Sequence, residues 1–471
     1  MSVLVQTPPA PGLVDLHGSA PRSPAGPVHS LEGLCAPPAL RLPRIVQNVW
    51  FGRWQADYVF RHSRKFGDVW RADGYVSGRP AVTSHPDHVK SLFTASPELA
   101  PTLAPESPLA PVLGPNSTLI AREPRHLPQR KLLLPPFHGE AIARYSEMIT
   151  AAARREIDRW PVGRPFALAP RMQAITLDVI MGGIFGIDVR PQPGTLEHRL
   201  RQAIRGLNRG STLPGAKLSE WMNLGHDEPV GLLKLALVVP DRCVYALIEK
   251  RRNDPNLDQR TDIMSVIMRA PKEGGGVLSD RELRDELMTL VLAGHETTAN
   301  QLAWTWERLV RSPEAHTRLV EAVRTGGAEA DLAIESVLLE SMRSRPVIPM
   351  TGRRVTVPWQ LGDYGIPADT AVAISILLLH HREDVYPDPF AFRPERWDGH
   401  KPGTYEWIPF GGGTRRCLGA TLAMAEMRVV LRAMAERLDL RATTHRPERP
   451  LHRNVTMIPH RGARVVVRSR L

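Results

Sequence analysis

The sequence predicts a mainly α protein: a large helical domain with a smaller β-rich part built from N- and C-terminal segments. Three observations carry this. Apolar residues recur at helical spacing through the middle of the 471-residue chain. One central stretch can run as a single helix of about thirty residues, some 45 Å at ~1.5 Å rise each. Alternating, strand-like patterns fall outside that middle, toward the two ends.

The elements follow in order. Residues 1–40 hold eight prolines and read as a disordered leader, which leaves 41–471 as one domain. Phe66 to Pro86 alternates around a Gly-containing turn and reads as a hairpin, and "DHVKSLF" after it is helical. Pro97 to Pro115 lacks a period and reads as a long loop, a common carrier of ligand contacts. "EAIARYSEMITAAARREIDRW" places Ile142, Tyr145, Ile149 and Ile157 at helical spacing, and "MQAITLDVIMGGIFGID" continues the pattern. Residues 207–230, with Gly, Pro and Asn, break it, and helices resume through Cys243 and Lys250. The central helix opens at "SDREL", with Ser279 as N-cap and Glu282 at the capping-box position. "VTVPWQLGDYGIPADTAVAISILLL" and the final "NVTMIPHRGARVVVRSRL" return to strand-like patterning.

Composition removes several function classes. Apolar runs such as "LALVVP" and "ISILLL" fall far short of the ~20 residues of a membrane span. The N-terminus lacks the basic and continuous apolar regions of a secretory signal. Three scattered cysteines, Cys35, Cys243 and Cys417, do not make a disulfide framework or a four-cysteine iron–sulfur site, which fits a reducing cytoplasm. The net charge of +12 rests on 53 Arg against 8 Lys, a bias that base composition alone can produce. No zinc-finger spacing or aromatic-and-basic stripe accompanies it, so nucleic acid is not an expected partner.

The stretch that demands chemistry is "WIPFGGGTRRCLG", Trp407 to Gly419. A phosphate loop needs Lys followed by Ser or Thr, zinc needs further nearby ligands, and c-type haem needs Cys-x-x-Cys-His; none is present. A lone cysteine is ordinarily inert packing. Cys417, however, directly precedes an amphipathic helix, whose N-terminal N–H groups and dipole favour thiolate. Gly411, Gly412, Gly413 and Gly419 let backbone approach a flat ligand, and Arg415 can pair with a carboxylate. A thiolate beside a flat dianion suggests haem.

Phe410, Gly413, Arg415, Cys417 and Gly419 match F-x-x-G-x-R-x-C-x-G, the haem-binding signature of the cytochrome P450 family, and the chain resembles that family over roughly residues 40–471. "AGHETT", Ala293 to Thr298, resembles the family's oxygen-activating motif: Gly294 admits a ligand close to the helix, Thr297 can bond the Ala293 carbonyl, and Glu296 with Thr297 would organise proton delivery. Glu340 and Arg343 in "LLESMR", with Arg396 in "FAFRPERW", match the family's buried Glu–Arg–Arg network. His126 and Arg130, at i and i+4, match its propionate-binding helix. Arg353, with Arg354 beside it as the alternative, matches a further propionate-binding position.

The resemblance implies the cytochrome P450 fold, of soluble bacterial type. It implies haem b with Cys417 as axial ligand to iron, O2 as co-substrate, and an apolar organic substrate that is hydroxylated or epoxidised. Electrons would come ultimately from NAD(P)H through a reductase and a ferredoxin or flavodoxin. That partner would dock on proximal basic residues including Arg125, Lys131 and Arg428. Substrate selection would fall to residues 100–118, 207–230, the helix around Ala293 and the segment after Pro346. The expected setting is cytoplasmic, with peripheral membrane contact left open. The rival readings are a haem-thiolate isomerase, dehydratase or peroxygenase, and a non-catalytic haem ligand binder.

Overall fold

The computed structural model describes residues 18–73, 78–187, 191–211 and 215–471. Its axis is the central helix, Asp280–Leu309, thirty residues long. The capping box predicted for it forms: Ser279 N–H donates to Glu282 Oε2 at 2.8 Å and Glu282 N–H returns to Ser279 Oγ at 3.3 Å. Trp304 and Trp306 on this helix are fully buried. The helix Ala169–Phe185, apolar on nearly every side, packs along it. Helix Glu140–Ile157 lies against the last long helix, Ala420–Arg437, with Tyr145, Ile149 and Ile157 turned into the core as their spacing requires.

The β-rich part does draw on both ends of the chain. One sheet has the order Val69–Arg71, Ala81–Thr83, Thr370–Ser375, Met350–Val355, so the early hairpin joins late strands through a parallel pairing of Ala81 with Val372. Strands Pro450–Arg453 and Thr456–Pro459 form a separate hairpin, turned by Asn454 at φ 51°.

Three expectations are corrected. The Pro-rich segment is ordered from Gly18 onward: Ala25–Pro27 pairs antiparallel with Trp359–Leu361, and Ser23 N–H donates to Asp87 Oδ2 at 2.9 Å. Proline at a sheet edge loses no ladder bond, so its abundance did not forbid this pairing. Residues 1–17 of the expected leader lie outside the described residues. Within 207–230, helix Leu196–Gly210 extends into the start of the expected break and Ala216–Met222 is a short helix inside it. Finally, "ISILLL" leaves its strand at Ser375, whose hydroxyl accepts from Leu378 N–H and caps a single helical turn, Ile376–Leu379.

Glu340 and Arg343, both fully buried, pair through two bonds of 2.7 and 2.8 Å. Arg396 reaches the same carboxylate at 3.5 Å, and Trp397 Nε1 and Arg393 N–H donate to it at 3.1 and 3.0 Å. Arg343 also donates to the His380 carbonyl at 2.7 Å, and the His380 ring accepts from Ile408 N–H at 2.9 Å. Trp407 Nε1 donates to the Leu339 carbonyl at 3.2 Å. The network thus grips the start of the cysteine loop by a side chain, a ring and an indole.

Two outcomes test this scaffold. Replacing Glu340 with Ala strands two buried guanidinium groups and should cost about 3–5 kcal/mol, read as a lower urea midpoint; an unchanged midpoint would contradict the network. Burial, then the charge of Arg343, pushes the His380 pKa from 6.5 down to about 3, so its bond to Ile408 is intact above pH 6.5 and its stabilisation drains away as pH falls toward 3. His380→Gln should therefore shed about one proton from the pH dependence of stability in that window; an unaltered slope would refute it.

Candidate functional site

The loop Trp407–Gly419 folds back on itself before the helix at Ala420. Gly411 N–H donates to the Ile408 carbonyl and Cys417 N–H to the Phe410 carbonyl, both at 2.9 Å. Gly411 and Gly413 adopt φ of 66° and 64°, open only to glycine at low strain. A Cβ on Gly412 would lie 2.3 Å from the Phe93 ring, and one on Gly413 2.2 Å from the Phe93 carbonyl. The space those two leave is therefore taken by helix Pro86–Thr94 and not by a flat ligand, which corrects part of the expectation for the glycine run. Gly411 serves the turn, and Gly419 rests against the Phe137 ring at ordinary contact.

Cys417 is open to solvent, yet burial dominates its thiol and pushes the pKa up, against the Gly419 N–H and the charges of Arg130 and Arg416. An atom both reachable and desolvated lies on the wall of an internal cavity. Ala293 is open in the same way, although Val291, His295 and Thr298 around it are buried. The helix that carries Ala293 packs against the helix that follows Cys417.

Cations gather beside the thiol. Arg353 is 5% exposed, donates only to the Gly352 carbonyl at 2.9 Å, and stacks on Phe93 at 5.1 Å. Burial lowers its pKa to about 10. Arg415 donates to the carbonyls of Thr118 and Ala121, and burial followed by the charge of Arg353 lowers it to about 10. Arg130 has no hydrogen bond or ion pair among the described residues, and its pKa also falls through burial. His126 holds Glu123 Oε1 at 3.0 Å, with its pKa lowered first by burial and then by Arg415. A cavity of about 160 Å³ opens between Phe93, Thr102, Glu123, Arg353 and Arg415. Arg354, the alternative at that position, grips Glu106 through both carboxylate oxygens at 2.7 and 2.8 Å and so has its own partner.

Buried guanidinium groups without carboxylates lower the cost of bringing in an anion. A thiol with such cations near it fits haem b, for which Cys417 would hold the iron and the arginines the propionates. The iron would invert the pKa of the thiol, because coordination deprotonates it outright.

Along the central helix, three successive carbonyls carry added hydroxyl donors. Thr297 Oγ1 donates to Ala293 at 2.6 Å, Thr298 Oγ1 to Gly294 at 3.0 Å, and Thr176 Oγ1 to His295 at 2.9 Å. Such bonds compete with the helical ladder and open it locally. A Cβ on Gly294 would lie 2.7 Å from Ile180 Cδ1, so the missing side chain also lets two helices pack closely. Glu296 forms an ion pair with Arg453 and accepts from Thr456 Oγ1 at 3.4 Å, which ties the tip of the C-terminal hairpin to the helix. His295 accepts from Asn208 at 2.8 Å, and burial holds its pKa near 4.

Several site residues escaped the sequence reading: Phe93, Thr176, Arg453 and the end of the loop at 114–121, which was expected only as far as residue 118. That loop is pinned by acids of the central helix: Thr118 N–H and hydroxyl donate to Glu286 at 3.1 and 2.5 Å, and Asn116 N–H donates to Asp285 at 3.0 Å. The available signals were adjacent acids, Asp285 and Glu286, inside an apolar helix, and a turn residue, Asn454, between two strand-like runs.

Residues 36–467 match the family model described as Cytochrome P450. The chain is 38% identical over 453 residues to "Putative cytochrome P450 138" of Mycobacterium tuberculosis, covering 95% of this chain and 98% of the relative. It is 38% identical over 438 residues to "Putative cytochrome P450 135B1" of the same species, covering 92% and 91%. Among solved structures, "Retinoic acid bound cyanobacterial CYP120A1" superposes with a TM-score of 0.78 at 22% identity, covering 93% of this chain and all of that one, a likeness of fold alone. With a cavity-wall cysteine, carboxylate-free arginines beside it and a family match along nearly the whole chain, this protein belongs to the cytochrome P450 family of haem-thiolate monooxygenases.

Proposed function

We propose that this enzyme hydroxylates or epoxidises an apolar organic molecule, using O2 and electrons that pass from NAD(P)H through a reductase and a ferredoxin or flavodoxin. The observation that carries the reading is Thr297: its hydroxyl donates to the carbonyl of solvent-open Ala293 one helical turn away, and Thr298 makes the same kind of bond to Gly294 beside it. Bound haem supplies the oxidising chemistry, with one oxygen atom going to the substrate and the other leaving as water.

The chain's own residues supply the rest. Cys417 would be the axial ligand, and Arg130, Arg353, Arg415 and His126 would hold the propionates. Thr297 Oγ1 holds a proton that it now donates to a backbone carbonyl and can turn toward the cavity. Glu296, steadied by Arg453 and Thr456, stands one residue away as a proton source. Ala110, Leu113 and Ile120 form an apolar cluster against Leu292 of the central helix, which supports an apolar substrate.

The docking surface narrows from the sequence expectation. Arg428 is engaged by Glu335 at 2.7 Å, so its charge is compensated. Arg125 donates to a carbonyl and Lys131 is exposed, and neither has an ion pair among the described residues. These two are the better candidates for meeting an acidic carrier. The cysteines Cys35, Cys243 and Cys417 are all free, which supports a reducing cytoplasm. Among the described residues no helix is long and apolar enough to cross a membrane.

Thr297→Ala should lower product formed per NAD(P)H consumed by roughly tenfold or more while haem content stays constant. Unaltered coupling would remove Thr297 from proton delivery and favour a reaction that does not split O2. Arg125→Glu with Lys131→Glu should slow reduction by an acidic ferredoxin and flatten its salt dependence; the same rate at every ionic strength would eliminate this docking site.

A further inference from the structure

The first turns of the helix Arg44–Phe66 are built inside out. Its polar side chains face the protein: Gln47, 1% exposed, accepts from the Tyr58 hydroxyl at 3.0 Å and from Asp73 N–H at 3.1 Å, and Gln55 is buried as well. Its apolar ones face solvent, with Ile45 62% exposed and Val49 56%, alongside Leu42, Val46 and Trp54. Within the helix, positions 45, 46, 49 and 53 follow helical spacing and so share one side, which runs up to the exposed Trp54 at the break in helical backbone, with Leu42 just before the helix. Among the described residues nothing covers this outward apolar side.

Charge indicates what its partner is. Arg41, Arg44 and Arg53 flank the apolar side, and no acidic residue occurs between Glu32 and Asp57. Arg53 also lies over the Trp54 ring at 5.3 Å, which places an amphipathic ring and a cation at one level. A second exposed apolar group, around Trp221, Met222, Leu232 and Leu235, is interspersed with Glu220, Asp227 and Glu228 and offers no field of one sign. We propose that the side of this helix carrying Ile45, Val49 and Trp54 docks on an anionic lipid surface, with its apolar residues in the headgroup boundary and its arginines on the headgroups. Such contact is peripheral and reversible, and needs no spanning segment.

The test is cosedimentation of the full-length, haem-loaded protein with vesicles of phosphatidylcholine alone and of phosphatidylcholine mixed with phosphatidylglycerol. Binding should occur on the mixed vesicles and weaken with salt. Ile45→Asp with Val49→Asp should reduce it about tenfold or more, and Arg41→Gln with Arg53→Gln about fivefold per arginine. Haem content should be equal in all proteins, since none of these residues lies in the site. No binding by the parent protein, or equal binding by parent and variants, would overturn the proposal. So would a dimer that only the Ile45/Val49 variant loses, or binding abolished by deleting residues 1–17 and untouched by either variant.

Discussion

Buried guanidinium groups that hydrogen-bond to no carboxylate among the described residues are the constraint on which this site depends. Among the described residues Arg353 and Arg415 hydrogen-bond to carbonyls and to no carboxylate; burial lowers the pKa of both, and the charge of Arg353 lowers that of Arg415 further. A protein that buries guanidinium groups in this way is less stable by itself than with an anion in place. Haem loading and the stability of the finished fold are thereby coupled: the propionates would satisfy the charges, and the iron would convert a thiol held protonated by burial into a ligand. The apolar walls that make the thiol reluctant to ionise also keep water from the chemistry.

Holding that loop in place requires rigidity from elsewhere. The Glu340 network supplies it through Arg343, His380 and Ile408, a chain of contacts that ends two residues before Phe410. On the far side, Glu286 and Asp285 of the central helix pin the loop at 116–118, whose carbonyls receive Arg415. Thiol, arginines and central helix are thus registered through separate buried polar networks, each satisfied mainly within the protein.

Much of this was legible because the relevant residues are contiguous or share one helix. Cys417, Arg415, Thr297 and Glu340 with Arg343 were singled out by the resemblance of contiguous motifs to the family's, and the capping box at Ser279 formed as read. Contacts between distant segments could not be. Arg453 meets Glu296 because a hairpin tip arrives from far along the chain, and Phe93 decides the need for Gly412 and Gly413 from more than three hundred residues upstream. Gly294 was read as room for a ligand, and the packing of Ile180 against it could not be foreseen, since a sequence shows that a Cβ is missing and not what lies next to the gap. The segment from Gly18 to Leu40 was misread because proline content reports local stiffness, whereas order there comes from a sheet edge and from His88 and Asp87 waiting for Ser23.

The account stands or falls on Cys417 as the axial ligand to haem iron. The most direct measurement is the ferrous carbon monoxide difference spectrum of the purified protein beside Cys417→Ala. A red-shifted Soret band of the thiolate type in the parent, absent from the variant, is the predicted result. The same band in both proteins, or no haem in the parent, would contradict the assignment.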